Sequence, residues 1–185
     1  TCNVKDASDN PISSAIVNLN GTTNPVGDYV FSGLVAGEYS YTVTKTGYAG
    51  YSGDVSVNDN ITVDVTLQVL TYPVTFGVTG GSGSLAATIN GSPISSGDAV
   101  DHGSELLFTA TPDPGYQVKH WKLNGSVVTN HIETTLAVNV LDDVDVTVEF
   151  EEIPPQMYTL TVTIIGSGSV TVDGDTYTAP VTVEE

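Results

Sequence analysis

The sequence predicts an all-β protein, and three observations carry that expectation. Apolar and polar residues alternate along many short runs, Asn-Gly and Asp-Gly pairs punctuate those runs, and no stretch of ten or more residues keeps a 3.6-residue period. Tyr39, Tyr41 and Val43 face away from Ser40, Thr42 and Thr44, so one side of this strand meets a core and the other meets water. Ile61, Val63, Val65 and Leu67 alternate in the same way with Thr62, Asp64, Thr66 and Gln68. The pattern returns at Tyr72, Val74, Phe76 and Val78, at Val144, Val146, Val148 and Phe150, and at Tyr158, Leu160, Val162 and Ile164. Val and Thr fill most of these positions, and their branched Cβ suits a pleated surface. Asn90-Gly91, Asn124-Gly125 and Asp173-Gly174 tolerate the positive φ of a tight hairpin. Pro112-Asp113-Pro114-Gly115 stops a strand, and Ser95 to His102, the nearest approach to a helix, is too polar and Gly-broken to be one.

Composition narrows the function. The 185 residues carry 22 Asp+Glu against four Lys and no Arg, a formal net charge of −18, which opposes binding to nucleic acid or an anionic membrane surface. A single Cys provides neither an intrachain disulfide nor a Cys-based zinc site. No apolar run reaches the ~18 residues of a spanning helix, so membrane insertion is not expected, and no Lys/Arg-led signal segment opens the sequence.

The chain repeats itself. Tyr72-Pro-Val-Thr-Phe-Gly-Val and Tyr158-Thr-Leu-Thr-Val-Thr-Ile begin matching strands, and each runs into a Gly-Ser-Gly-Ser turn, at Gly81 to Ser84 and at Gly166 to Ser169. The second copy stops at Glu185 with no counterpart of Leu106 to Phe150, and half a repeat leaves an apolar face unpaired. The natural polypeptide is expected to continue past Glu185, the alternative being that this half packs on a neighbour. Three units follow: 1–70, 71–152, and 153–185 with Pro154-Pro155 as a short stiff spacer. The first junction, Leu67 to Pro73, lacks Gly and Ser and reads as a stiff joint.

In the first unit, the matching residues are Val4-Lys-Asp6, Asn10-Pro-Ile12, Ala15-Ile-Val17, Gly27-Asp-Tyr-Val-Phe31, Leu34-Val-Ala-Gly37, Tyr39, Val43 and Gly47-Tyr48. On these it resembles the carboxypeptidase regulatory-like, transthyretin-like β-sandwich. The resemblance implies a seven-stranded sandwich used as a spacer or accessory module without catalytic residues. Leu34 and Tyr39 are expected to plug its core on either side of the Ala36-Gly37 turn. The second unit carries Leu107-Phe-Thr-Ala-Thr-Pro-Asp-Pro-Gly-Tyr116, then Val118, His120-Trp121, Asn124-Gly125 and the closing strand Val144 to Phe150. It resembles the divergent internalin-type B-repeat of bacterial surface proteins, the Listeria–Bacteroides repeat, with Tyr116, Val118 and Trp121 at the family's core aromatic region. Residues 158 to 185 look like the opening of another copy.

Candidate chemistry is sparse. His102, His120 and His131 are the only classical bases, and no H-x-x-x-H or H-E-x-x-H spacing joins them. The Gly-Ser-Gly-Ser segments read as turns, not as a nucleophile elbow. Related sandwiches crosslink a Lys to an Asn or Asp with help from a buried Glu. Lys5 and Asp64 occupy suitable strands, but Thr44-Lys45 stands where that Glu belongs, so Lys5 reads as a solvated edge charge. Asp142-Asp143-Val-Asp145 and Asp173-Gly-Asp175 supply too few oxygens for the 6–8 that Ca²⁺ takes. Asn20, Asn60, Asn90 and Asn124 head N-x-Ser/Thr triplets that turn chemistry explains equally well. Cys2 reads as a small buried hydrophobe. Tyr48 belongs to the core on this reading, which leaves Tyr51 as the one candidate ligand contact.

No catalytic, metal or cofactor residue emerges, and no enzyme activity is expected. The sequence points to a structural spacer of a larger secreted or cell-surface bacterial protein, adhesin-like in character. The alternative is an extracellular module that binds a glycan or a host or cell-surface protein through Tyr51.

Overall fold

The computed structural model describes residues 1–156 together with 169–172 and 175–178; the expected strand from Tyr158 to Ile164 lies outside these. The protein divides into two compact units, Thr1–Ile153 and Pro154–Glu185. All regular elements among the described residues are strands.

The first unit opens with β1 (Cys2–Asp6), β2 (Ile16–Leu19), β3 (Thr22–Thr23), β4 (Gly37–Thr44), β5 (Tyr51–Val57) and β6 (Val63–Leu67). Strands β3, β2, β4 and β5 form an antiparallel sheet in that order, while β1 pairs with β6 in parallel, Val4 opposite Val65. Alternation places Val17, Val43, Val65 and Leu67 fully buried, with Val4 and Tyr41 beside them, but Ile61, expected on the same inward face, precedes β6 and is exposed. Burying a Val or Leu side chain contributes about 1.5–3 kcal/mol, so these inward positions define which face of each strand turns in.

Six strands stand among the described residues up to Leu67 where the resemblance implies seven. The difference lies in residues 24–36, which run without ladder pairing. Pro25 lacks an amide proton, and Gly27 and Gly33 hold φ of 83° and 72°, outside strand geometry. Tyr29 anchors this segment instead: its hydroxyl donates to Ile12 O at 2.6 Å and accepts from Ala15 N at 2.9 Å. Leu34 corrects the second expectation. It is 37% exposed, and Phe31 and Tyr29 pack against the core from this segment in its place. Tyr39 packs there as expected, its hydroxyl donating to Val35 O at 3.0 Å.

A second core follows, built by β7 (Thr71–Gly80), β8 (Gly83–Ile89), β9 (Ser92–Ile94), β10 (Asp98–Asp101), β11 (Glu105–Pro112), β12 (Tyr116–Leu123), β13 (Ser126–Val127), β14 (Thr135–Asn139) and β15 (Val144–Glu152). One sheet has the order β10-β7-β15-β12-β13 and the other β14-β11-β8-β9. Strand β15 lies parallel to β7, with Val144 opposite Val74 and Val146 opposite Phe76. Trp121, Phe108, Leu106, Val74, Val146 and Val148 are fully buried between the sheets. The Trp121 indole donates to Glu133 O at 2.9 Å, which satisfies the polar atom of a completely enclosed ring.

Gly81-Ser-Gly-Ser84 is more than a turn. A Cβ on Gly81 would stand 2.2 Å from Phe150 O, and one on Gly83 would stand 2.6 Å from the Phe150 ring. Both glycines make room for the end of β15 to close over the β7–β8 connection. In the second unit, β16 (Ser169–Val172) pairs antiparallel with β17 (Asp175–Thr178).

Only Gln68, Val69 and Leu70 separate β6 from β7. Leu70 N donates to Gly47 O at 2.8 Å, and His102 N donates to Leu70 O at 2.8 Å, so one residue is bonded to both β regions. Ala49 N donates to Gln68 O at 2.8 Å, and Tyr48 bridges Val69 beside it.

Candidate functional site

Tyr51 opens β5 and stands opposite Val43 of β4. This register turns its side chain toward the core side of the sheet, where it stacks on Tyr41 with centroids 6.1 Å apart and planes 26° apart. Gly53, opposite Tyr41, leaves space for that ring: a Cβ there would lie 2.8 Å from the Tyr41 hydroxyl. Tyr41 is enclosed, and burial pushes its hydroxyl above the ordinary tyrosine range with the neighbouring Tyr51 hydroxyl adding to the effect. Tyr51 itself is 42% exposed. It thus forms the rim of an aromatic stack, with one surface packed and the rest open to solvent. Tyr48 packs on the same core and also lines a groove of about 380 Å³ at the joint, with Asp6, Val69, Asp101 and His102.

The three histidines stand in three settings. His102 lies in the turn after β10, its ring against Gly47 and tilted over Tyr72 at 6.0 Å. His120 lies on β12 with Nε2 3.6 Å from a Glu149 carboxylate oxygen. His131 lies in the loop before β14, with Nε2 2.7 Å from Thr135 O and Nδ1 3.1 Å from Glu133, its ring 6.4 Å from that of Trp121. Among the described residues, no group of three or more His, Cys, Asp or Glu side chains is arranged to hold a metal ion.

Charged side chains find local partners. Lys5 pairs with Asp9 at 2.6 Å, while Asp64 accepts from the Asn3 amide at 2.8 Å. In the β1–β6 ladder Lys5 stands opposite Thr66 and Asp64 opposite Asn3, so the two candidate crosslink residues have separate partners. Hydrogen bonding to Asp9 holds the Lys5 ammonium above its ordinary range. Lys119 pairs with Glu149 at 2.5 Å, which raises the ammonium and lowers the carboxyl. In the Asp142–Asp145 cluster, Asp145 Oδ1 accepts from Thr75 at 2.7 Å and Asp142 Oδ1 accepts from Asp143 N at 2.9 Å. Asp173 lies outside the described residues. Cys2 is buried, and burial pushes its thiol up against the opposing pull of the N-terminal ammonium, the setting of an inert cysteine.

A groove of about 500 Å³ opens beside Thr1, lined by Phe31, Leu34, Val57 and Ile61 among others. Sequence reasoning passes over it because it assigns Leu34 to the core. The signal is present in Val30 and Leu34, apolar residues without strand alternation that line the groove and are exposed.

Residues 1–69 match the carboxypeptidase regulatory-like domain family, and residues 78–154 match the divergent InlB B-repeat domain family. Among solved structures, the Bacillus anthracis TIE protein is similar with a TM-score of 0.54 at 9% identity, over 82% of this chain and 33% of that one. The present sequence thus spans about a third of that protein's length, and the likeness is one of fold. A C-terminal fragment of the pilus adhesin SpaC from Lactobacillus rhamnosus GG is similar at a TM-score of 0.43 and 12% identity, over 85% of this chain and 98% of that one. GBS52, the minor pilin of Streptococcus agalactiae, gives 0.28 and 14%, over 71% and 66%. No curated protein matches the sequence.

Proposed function

With residues 1–69 forming a carboxypeptidase regulatory-like domain and residues 78–154 a divergent InlB B-repeat domain, we propose that the protein is a non-catalytic spacer segment of a larger secreted or cell-surface bacterial protein, adhesin-like in its role. Its working divisions on this reading are 1–70, 71–152 and 153–185. The observation that carries the proposal is the joint at Leu70, whose N–H and C=O are bonded to Gly47 and His102 in the two flanking β regions. A joint held this way fixes the distance and direction from one domain to the next, which is what a spacer supplies. The net charge of −18 supports the same reading, since it keeps such segments soluble and apart.

Nuclear spin relaxation on the intact protein tests the joint directly. Amides of residues 1–69 and 78–153 are expected to report one common rotational correlation time. Two distinct times would mean a loose tether and would overturn the spacer reading. A glycan array and a pull-down from host-cell surface protein are expected to return no specific ligand. Specific capture that a Tyr51→Ala change abolishes would replace the spacer with a binding module built on the exposed Tyr51 rim.

A further inference from the structure

Three Asn-Gly pairs occupy equivalent places in three two-residue hairpins. Leu19 and Thr22 close the turn at Asn20-Gly21, Ile89 and Ser92 close the one at Asn90-Gly91, and Leu123 and Ser126 close the one at Asn124-Gly125. All three asparagines have positive φ, between 46° and 50°, and all three glycines follow with φ between 78° and 85°. Local backbone and sequence are therefore alike. The surroundings of the three carboxamides are not.

Asn124 is held on every side. Its Oδ1 accepts from Asp145 N at 2.7 Å, its Nδ2 donates to Asp143 O at 3.1 Å, and its own N donates to Asp145 O at 2.8 Å. Asn20 is held almost as well: Oδ1 accepts from Ser40 N at 2.8 Å, and its N donates to Ser40 O at 2.9 Å. The next amide, Gly21 N, is itself committed to Asn18 Oδ1 at 2.9 Å. Among the described residues the Asn90 carboxamide and Gly91 N take no such bonds. Asn90 and Gly91 are exposed, and a Cβ on Gly91 would meet open space. The strand that follows, β9, is a three-residue edge strand whose middle residue, Pro93, has no N–H to give to the ladder.

We propose that Asn90-Gly91 is a site of spontaneous succinimide chemistry, at which the asparagine converts to aspartate and isoaspartate while the other two Asn-Gly pairs are protected by their hydrogen bonds. The Gly91 amide nitrogen gives its proton to a water-borne base and attacks Cγ of Asn90. A new bond from that nitrogen to Cγ closes a five-membered imide, the bond between Cγ and Nδ2 breaks, and Nδ2 takes up a proton and leaves as ammonia. Water then adds to either imide carbonyl and reopens the ring. Ring closure requires the Asn90 backbone to rotate out of its turn conformation, so the reaction rate follows how easily each hairpin opens. Asn124 must break three hydrogen bonds to do so, each of which favours the closed turn, whereas Asn90 breaks none of that kind. Conversion leaves an added negative charge, and the isoaspartyl form lengthens the backbone at a turn that accepts two residues only. Ile94, packed on the second core from β9, is the residue this would disturb.

The test is peptide mapping by mass spectrometry after the intact protein has stood at mildly alkaline pH and 37 °C, following NH₂-to-OH exchange in the peptides that contain Asn20, Asn90 and Asn124. In the folded protein the Asn90 peptide is expected to convert about tenfold or more faster than the Asn124 peptide, the factor that ~1.4 kcal/mol represents. In concentrated urea all three are expected to convert at comparable rates, which separates protection by the fold from any effect of local sequence. Asn90→Gln removes the five-membered ring and is expected to abolish conversion there. Equal native rates at the three positions, or a folded protein in which Asn90 stays intact while it converts in urea, would overturn the proposal.

Discussion

The Cα of Gly47 lies against the imidazole of His102, so close that a Cβ on Gly47 would stand 2.3 Å from His102 Cδ2. Gly47 comes from the turn after β4, and His102 from the turn after β10. Between them they enclose Leu70, which is hydrogen-bonded to both. The small residue is required twice over, by the contact and by its φ of +81°.

Gly47→Ala is expected to destabilise the protein by about 1–2 kcal/mol from backbone conformation alone, with the displaced imidazole adding to it. His102→Ala removes the obstacle and leaves the backbone penalty. The double variant is therefore expected to cost less than the sum of the single ones, with a coupling of at least about 0.5 kcal/mol in urea denaturation. Strict additivity would mean that the ring moves aside freely.

Gly81→Ala and Gly91→Ala compare two glycines of similar φ, 75° and 80°. The first new methyl meets Phe150 backbone at 2.2 Å and the second meets nothing. Gly91→Ala is expected to cost about 1–2 kcal/mol. Gly81→Ala is expected to cost about 3 kcal/mol or more, because β15 must shift to admit it. Emission from Trp121, the sole tryptophan and fully buried, reports the midpoint in each case.

Tyr29→Phe removes a hydroxyl that serves both Ala15 N and Ile12 O. Ala15 is completely buried, so its N–H is left without a partner or a path to water. The expected loss is about 1–3 kcal/mol, read as a lower urea midpoint with an unchanged slope.

Acid should weaken the fold through two identifiable carboxyls. Hydrogen bonds from Asn10, side chain then backbone, and from Ser8 hold Asp6 below the usual range, and Lys119 does the same for Glu149. A carboxyl lowered by folding contributes stability that is present above its unfolded pKa, about 4, and lost as pH falls through the lower folded value. Lys119, raised by Glu149, contributes below about pH 10.4 and loses its share as pH climbs through the raised value. Asp6→Asn and Glu149→Gln are each expected to flatten the fall in urea midpoint below about pH 4 relative to the parent protein. Lys119–Glu149 is an ion pair at the surface, so added salt should shrink the Glu149→Gln difference, while the Asp6→Asn difference, which rests on hydrogen bonds from uncharged donors, should persist.

Alternation exposes the strands and most of the core to sequence reading because burial on one face leaves a period-two trace: Val144, Val146, Val148 and Phe150 are all buried, as are Val65 and Leu67. Trp121 and Val118 enter the core as the family motif implies, and the positive φ at Asn90 and Asn124 follows from turn chemistry. Leu34 misleads because an apolar residue beside a turn looks the same in sequence whether the backbone folds over it or leaves it at the rim of a groove. Nor is the joint legible. His102, Gly47 and Leu70 are distant in sequence, and their contact depends on how two β regions meet, which no local pattern encodes. Tyr51 is visible as an aromatic residue near a glycine, yet its stacking on Tyr41 depends on the β4–β5 register.

In each β region up to Ile153, the opening strand and the closing strand are immediate neighbours running the same way: β1 beside β6, and β7 beside β15. A pull that separates the two ends of such a region drags these strands past each other lengthwise. Their ladder bonds then resist as a set and must fail together, whereas a hairpin peeled from its open end surrenders them singly. Tension along the polypeptide therefore meets each region in shear, its most resistant direction.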